Sequence, residues 1–145
     1  MTIALYQQDI VWGSPAENMR RAEEAFAAAF GDGALSSSAE GGVRHVDLMV
    51  LPEMFTTGYC ADPSQVAAGV GDGPEAVAWM RRMAVRYDAA VAGSVAVAEE
   101  GGYFNRMYFV RPDGSTEYYD KRHLFAMGGE ADHYTAGVWL SSGAA

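Results

Sequence analysis

Two short motifs each place one ionisable residue directly after a strand-like run. Residues 51–59 read LPEMFTTGY and set Glu53 just after an apolar run, and residues 119–125 read YDKRHLF and contain Lys121. In open α/β sheets, ligands bind beyond the carboxyl ends of the strands. A carboxylate there could act as a general base, and an ammonium could stabilise negative charge that develops in a transition state. The motifs therefore predict an acid/base pair that serves a nucleophile.

Each of these residues also has a purely structural interpretation. Glu53 could be a solvated loop carboxylate, and Lys121 could be a surface lysine in the basic trio at 121–123. Glu130 lies at the end of the Gly-rich segment 127–130 and is a third candidate, which position alone would describe as a loop residue. The position of these residues in the sequence therefore leaves both interpretations open.

The only cysteine, Cys60, lies seven residues after Glu53 in the same predicted loop. A lone cysteine can be a nucleophile, but no Lys, Arg or His flanks this one to favour its thiolate form. We interpret Cys60 as a loop or core thiol without a catalytic role. The three histidines, at 45, 123 and 133, lack the spacing of metal ligands, so we predict no metal site.

Composition excludes several classes of function. The 145 residues carry a formal charge of −9, which argues against binding to nucleic acid or to an anionic membrane surface. Half of the residues are hydrophobic and a fifth are charged, as in globular proteins. The N-terminus MTIALYQQDI resembles a first strand and not a signal peptide, and no apolar run is long enough to span a membrane. With one cysteine and no disulfide, we expect a cytoplasmic protein.

The hydrophobic pattern predicts an α/β protein with the order β-α-β-α-β-β-β. A helix should begin at Pro15 with Ser14 as its N-cap and end near Phe30, before Gly31. A second helix should open at 73–75, and the sequence predicts a short one after Pro63 in the predicted loop 54–73. We expect parallel pairs extended by a hairpin. The predicted strands cover 2–8, 46–51, 89–98, 103–110 and 116–119.

Together these motifs resemble those of the carbon–nitrogen hydrolase (nitrilase) superfamily, most closely its omega-amidase branch. The resemblance rests on LPEMFTTGY, on Asn105-Arg106 in YFNRMYFV, on the turn PDGS, and on YDKRHLF followed by Glu130 and the segment 133–137. The motifs match in order and spacing from the first strand to Gly137. The resemblance implies a carbon–nitrogen hydrolase domain, N-terminal part, over 1–137, and a divergent tail over 138–145.

The resemblance also implies a fold and a site. The family has an α-β-β-α sandwich, of which this chain would form the N-terminal half to two thirds. The family's Glu-Lys-Cys triad would make Glu53 the general base, Lys121 the stabiliser of the tetrahedral intermediate and Glu130 a supporting carboxylate. The implied reaction cleaves the terminal amide of small 2-oxo acid amides such as 2-oxoglutaramate to carboxylate and ammonia, without a cofactor. Full-length members commonly form homo-oligomers.

One departure from the family pattern is serious. The family's nucleophilic cysteine lies on a later strand, in a Cys-Tyr-Asp-like motif that this sequence does not contain, and Cys60 does not occupy that position. We therefore expect the chain to be inactive alone, and to be marginally stable or prone to aggregate because one sheet face lies open. One alternative is a non-catalytic truncated module that associates with a full-length homologue. Another is a related nitrilase, carbamoylase or deaminated glutathione amidase.

Overall fold

A mixed β-sheet organises the part of the chain that the structure describes. The structure is a computed structural model and describes residues 1–31, 45–69, 75–99, 101–138 and 140–141. The strands are β1 (Ile3–Leu5), β2 (Leu48–Val50), β3 (Ala68–Gly69), β4 (Ala90–Glu99), β5 (Gly102–Val110), β6 (Thr116–Asp120) and β7 (Leu140–Ser141). The helices are α1 (Pro15–Phe30), α2 (Glu75–Tyr87) and α3 (Glu130–His133), with 3-10 turns at Pro63–Gln65 and Ala126–Gly128.

The strand order is β1-β2-β4-β5-β6-β7, and β3 also pairs with β4. The pairs β1–β2, β2–β4 and β3–β4 are parallel, whereas β4 to β7 are antiparallel neighbours. This confirms the prediction of parallel pairs extended by a hairpin. The strands β3 and β7 were not predicted, because two residues are too few to show a periodicity.

Helices α1 and α2 cover one face of the sheet and form the core with it. The apolar face of α1 contributes Phe26, whose ring lies 5.6 Å from that of Tyr6 and 6.3 Å from that of Trp79 on α2. The strands contribute Met49 and Val91, which are completely buried in the same cluster. The described part of the chain thus supplies one helical layer and one sheet of the sandwich that the resemblance implies.

The start of α1 differs in one detail from the expected cap. Ser14 occupies the N-cap position, but its side chain makes no capping hydrogen bond and its hydroxyl instead lies 3.4 Å from the carbonyl of Trp12. The helix ends at Phe30, and Gly31 follows with a φ of +78°. This agrees with the predicted C-terminus, because glycine adopts positive φ without strain. Of the predicted opening of α2 at 73–75, residues 73 and 74 lie outside the described residues.

The second face of the sheet carries apolar side chains that no helix covers in the described part of the chain. Val91, Val95 and Val97 of β4 face the helices, so the alternating residues 92, 94 and 96 face the opposite way. Several apolar side chains of this second face are exposed: Ile3 (46%), Leu5 (78%), Met107 (39%) and Tyr119 (38%). Among the described residues, no helix is both long and apolar enough to cross a membrane.

Candidate active site

Two of the three predicted site residues, Glu53 and Lys121, meet in a pocket on the second face of the sheet. The pocket has a volume of about 230 Å³ and is lined by Glu53, Ser94, Asn105, Met107, Tyr119 and Lys121. These residues come from the segment after β2, from β4 and β5, and from the end of β6. Glu53 and Lys121 are therefore brought together, although 68 residues separate them in the sequence.

A tight turn after β2 holds Glu53 in place. Met54 follows it with a φ of +51°, a left-handed conformation that is uncommon for a residue other than glycine. The Met54 amide donates to the Ser94 hydroxyl at 3.0 Å, and the Phe55 amide donates to the Ser94 carbonyl at 3.2 Å. Two hydrogen bonds to one residue of β4 thus fix the turn, while the side chain of Glu53 stays 58% exposed.

Backbone hydrogen bonds to two other segments, β5 and the segment after α3, hold Lys121 in place. Its amide donates to the carbonyl of Asn105 at 2.9 Å, and its own carbonyl accepts from the amide of Gly137 at 3.0 Å. A Cβ at Gly137 would lie 2.1 Å from the carbonyl oxygen of Asp120, so this close approach requires glycine. The Asp120 side chain in turn accepts from Nε of the buried Arg106 at 2.6 Å.

Four side chains form a closed ring of polar contacts in and beside the pocket. Nζ of Lys121 lies 2.8 Å from Oε1 of Glu53 and 2.9 Å from Oε2 of Glu130. Nδ2 of Asn105 donates to the same Glu53 oxygen at 2.7 Å and to Oε1 of Glu130 at 3.1 Å. One ammonium and one amide therefore each bridge the two carboxylates.

Glu130 is completely buried, at the first residue of α3. Burial by itself would raise the pKa of its carboxyl group, but three donors outweigh that effect and lower the pKa: the Phe125 amide (2.6 Å from Oε2), Lys121 and Asn105. Burial of Lys121 would lower its pKa, but its hydrogen bonds to Glu53 and Glu130 outweigh the burial and raise it. The ring thus favours the ionised forms of Glu130 and Lys121.

The two carboxylates differ in what their oxygens contact. Both oxygens of Glu130 accept hydrogen bonds from protein donors. Oε1 of Glu53 accepts two, and Oε2 of Glu53 has no donor among the described residues. Glu53 is consequently the carboxylate that has an oxygen available to take a proton from another molecule.

Cys60 lies apart from the pocket lining. It is buried, and its thiol donates to the carbonyl of Asp62 at 3.1 Å. Among the described residues, no group of three His, Cys, Asp or Glu side chains is arranged to hold a metal ion.

Four residues that line the pocket were not predicted as site residues, namely Ser94, Asn105, Met107 and Tyr119. The sequence pointed to Asn105 only as part of the family resemblance. The positions of all four follow from the register of β4, β5 and β6, in which Asn105 pairs with Ala96 and Met107 pairs with both Ser94 and Tyr119. A polar asparagine within the largely apolar strand YFNRMYFV was the one local signal that this position has a special role.

The sheet, its helices and the four-residue ring define a class of protein. The family model of carbon–nitrogen hydrolases matches residues 2–143, which is nearly the whole sequence. The chain belongs to the carbon–nitrogen hydrolase family. The match extends beyond Gly137, where the motifs that we recognised end, and includes the strand β7.

The chain is similar to two named amidases and to one solved structure of the superfamily. The chain is 39% identical over 137 residues to "Omega-amidase YafV" of Yersinia enterocolitica and 34% identical over 139 residues to "2-oxoglutaramate amidase" of Bacillus subtilis. Each match covers 94% of this chain, and 47% and 48% of the relatives. A solved CN-hydrolase superfamily protein from Xanthomonas campestris matches with a TM-score of 0.78 and 38% identity, over 94% of this chain and 46% of that one. The chain thus spans about half the length of these relatives.

Proposed function

We propose that the chain carries the acid/base half of an amidase site. The reaction would cleave the terminal amide of a small 2-oxo acid, such as 2-oxoglutaramate, to a carboxylate and ammonia. The observation that carries the proposal is the contact of Lys121 with both Glu53 and Glu130. The name of the relative from Yersinia supports an omega-amidase, and the name of the relative from Bacillus supports an amide of a 2-oxo acid as the substrate.

Each residue has a distinct role in this mechanism. Glu53 takes the proton of an attacking thiol, and the thiolate bonds to the amide carbon. The carbonyl oxygen becomes negatively charged, and the ammonium of Lys121 stabilises it. Glu53 then returns the proton to the leaving nitrogen, so that ammonia departs and a thioester remains. Water then attacks the thioester and gives a proton to Glu53. The C–S bond breaks, Glu53 returns the proton to the thiolate, and the product leaves as a carboxylate.

Glu130 supports this cycle without exchanging protons, because protein donors occupy both of its oxygens. Its negative charge raises the pKa of Lys121 and keeps the ammonium ionised beside Glu53. The thiol must come from outside the pocket described here, since Cys60 is the only cysteine of the sequence and does not line the pocket. We therefore propose that these 145 residues do not turn over an amide alone.

A direct assay tests the role of the cysteine. The purified 145-residue chain is incubated with 2-oxoglutaramate, and ammonia is measured against the Cys60→Ser variant. We expect no release above background from either protein. If the chain releases ammonia and Cys60→Ser abolishes the release, Cys60 is the nucleophile after all.

A chimera tests the role of Glu53. Residues 1–137 are joined to the corresponding C-terminal half of the Yersinia omega-amidase. We expect ammonia release from 2-oxoglutaramate, and we expect Glu53→Gln to lower kcat about 10²–10⁴-fold, the range for loss of a general base. Glu24→Gln, an exposed change on α1, is the matched control and should keep the activity. A chimera that cleaves a different amide but not 2-oxoglutaramate would contradict the proposed substrate class.

The uncovered apolar face of the sheet favours a second candidate function, in which the chain is a non-catalytic module that associates with a full-length homologue. Co-purification with such a homologue from a mixture of the two would support it. If instead the chain elutes separately at micromolar concentrations, this alternative fails.

A further inference from the structure

The side chain of Asn105 bridges the two carboxylates of the ring. Asn105 lies on β5, opposite Ala96 of β4, and is only 4% exposed. Its Nδ2 has two hydrogens, and the two carboxylates lie at 2.7 Å and 3.1 Å from that nitrogen. An oxygen could not take this position, because it would face two acceptors, so the network fixes which way the amide points.

Asn105 and Lys121 hold the same oxygen of Glu53 in different ways. A lysine ammonium is a point charge on a flexible stem, so it attracts a carboxylate without fixing its orientation. The amide of Asn105 is planar and comes from a buried residue in the centre of a sheet, so it fixes the direction of approach. Since the side chain of Glu53 is 58% exposed, few other contacts restrain it.

We propose that Asn105 is a positioning residue that makes Oε2 of Glu53 the proton-accepting oxygen. Its amide occupies Oε1 together with Lys121, which leaves Oε2 as the oxygen without a protein donor among the described residues. By donating its second hydrogen to Glu130, the same amide keeps the two carboxylates at a fixed separation on either side of the ammonium. This inference rests on the proposed base role of Glu53.

The amide of Asn105 also offsets the repulsion between the carboxylates of Glu53 and Glu130. Two carboxylates share one ammonium, and like charges at this distance repel each other. A donor between them contributes a favourable contact to both without adding charge. An apolar residue at this position would remove both hydrogen bonds, and a carboxylate would add a third negative charge.

The test measures order at Glu53 and does not depend on ammonia release, so failure of the amidase proposal and failure of this one are distinguishable. In the 145-residue chain, the side-chain order parameter of the Glu53 methylenes is measured by NMR relaxation for the wild type and for Asn105→Leu. We expect a fall from above about 0.8 to below about 0.6. In an NMR pH titration of the same two proteins, we expect the pKa of Glu130 to be higher in Asn105→Leu than in the wild type, because Glu130 has lost one of its donors.

The matched control is Phe109→Leu, a change on the same strand and the same face, four residues away. It should leave the order of Glu53 unchanged. If Glu53 stays ordered in Asn105→Leu, Lys121 alone fixes the carboxylate and the proposal is overturned. Should Asn105→Leu fail to fold, Asn105→Ala removes both hydrogen bonds without adding a bulky apolar group or a charge, and it must loosen Glu53; an unchanged Glu53 there overturns the proposal as well.

Discussion

Glu130 shows how a single buried carboxylate can tie stability to pH. Its pKa is lowered in the folded chain, so its contribution is fully present above the unfolded pKa of about 4.3 and is lost as the pH falls through the folded pKa. The pKa of Lys121 is raised, so its contribution is present below the unfolded value of about 10.4 and is lost as the pH rises through the folded pKa. The ring therefore stabilises the chain across the neutral range.

We expect Glu130→Gln to lower the free energy of unfolding at pH 7 by about 1–3 kcal/mol, because its amide group faces donors that need an acceptor. The variant should also lose less stability than the wild type between pH 5 and the acid limit, since the titrating group is gone. Urea unfolding at a series of pH values measures both effects. Glu24→Gln, on the exposed side of α1, serves as the control and should keep the wild-type acid dependence. Parallel pH profiles for Glu130→Gln and the wild type would contradict the prediction.

At the scale of elements, the turn between β2 and the following loop stores local strain beside the site. Met54 is completely buried and has a positive φ, so its side chain contributes to packing while its backbone adopts an unfavourable conformation. A β-branched side chain tolerates that conformation worse than an unbranched one. At position 54, the free energy of unfolding should therefore depend more on the shape of the side chain than on its volume.

We expect Met54→Ile to lower the free energy of unfolding more than Met54→Leu does, by about 1 kcal/mol. Met49 offers a matched comparison, because it is equally buried but lies in β2, where β-branched residues are favoured. There the isoleucine variant should be no worse than the leucine variant. Unfolding in urea, followed by the fluorescence of the buried Trp79, measures all four variants. Equal losses at position 54 would mean that its left-handed backbone carries no penalty.

Some positions in these elements could be predicted from the sequence, and others could not. Strand ends predicted the places of Glu53 and Lys121, because apolar runs and their breaks are local features. The burial of Glu130 was not visible locally, since its segment has the composition of a loop but forms a 3-10 turn and a one-turn helix. The role of Asn105 depends on strand register, and pairings across a sheet are set by the whole fold and not by neighbouring residues.

At the scale of the molecule, the sheet has one face covered by helices and one largely uncovered face in the part of the chain that the structure describes. The strand β1 lies at the edge of the sheet and exposes Leu5, so both its hydrogen-bonding edge and its apolar face can contact another chain. An exposed apolar face of this kind favours self-association. The neutral-pH charge of −9 opposes association but falls in magnitude as the pH approaches the pI of about 4.6.

We expect the wild-type chain to self-associate with increasing concentration and Leu5→Lys to shift it towards the monomer, because a lysine on an edge strand disfavours further pairing. Val85→Lys is the matched control, since Val85 is also exposed but lies on α2, on the other side of the sheet. Sedimentation velocity at several concentrations distinguishes the three proteins. A wild-type chain that stays monomeric and melts cooperatively at high concentration would contradict the prediction.

The members of the ring become available at different times while the chain is synthesised and folds. Its members lie far apart in the sequence: 52 residues separate Glu53 from Asn105, and 68 separate it from Lys121. During synthesis the carboxylate of Glu53 leaves the ribosome long before either partner exists. It gains its counter-charge only when the three strands β4, β5 and β6 have paired in register. The raised pKa of Lys121 therefore depends on the pairing of β4, β5 and β6, and a folding intermediate in which β6 has not paired would hold Glu53 without the ammonium beside it.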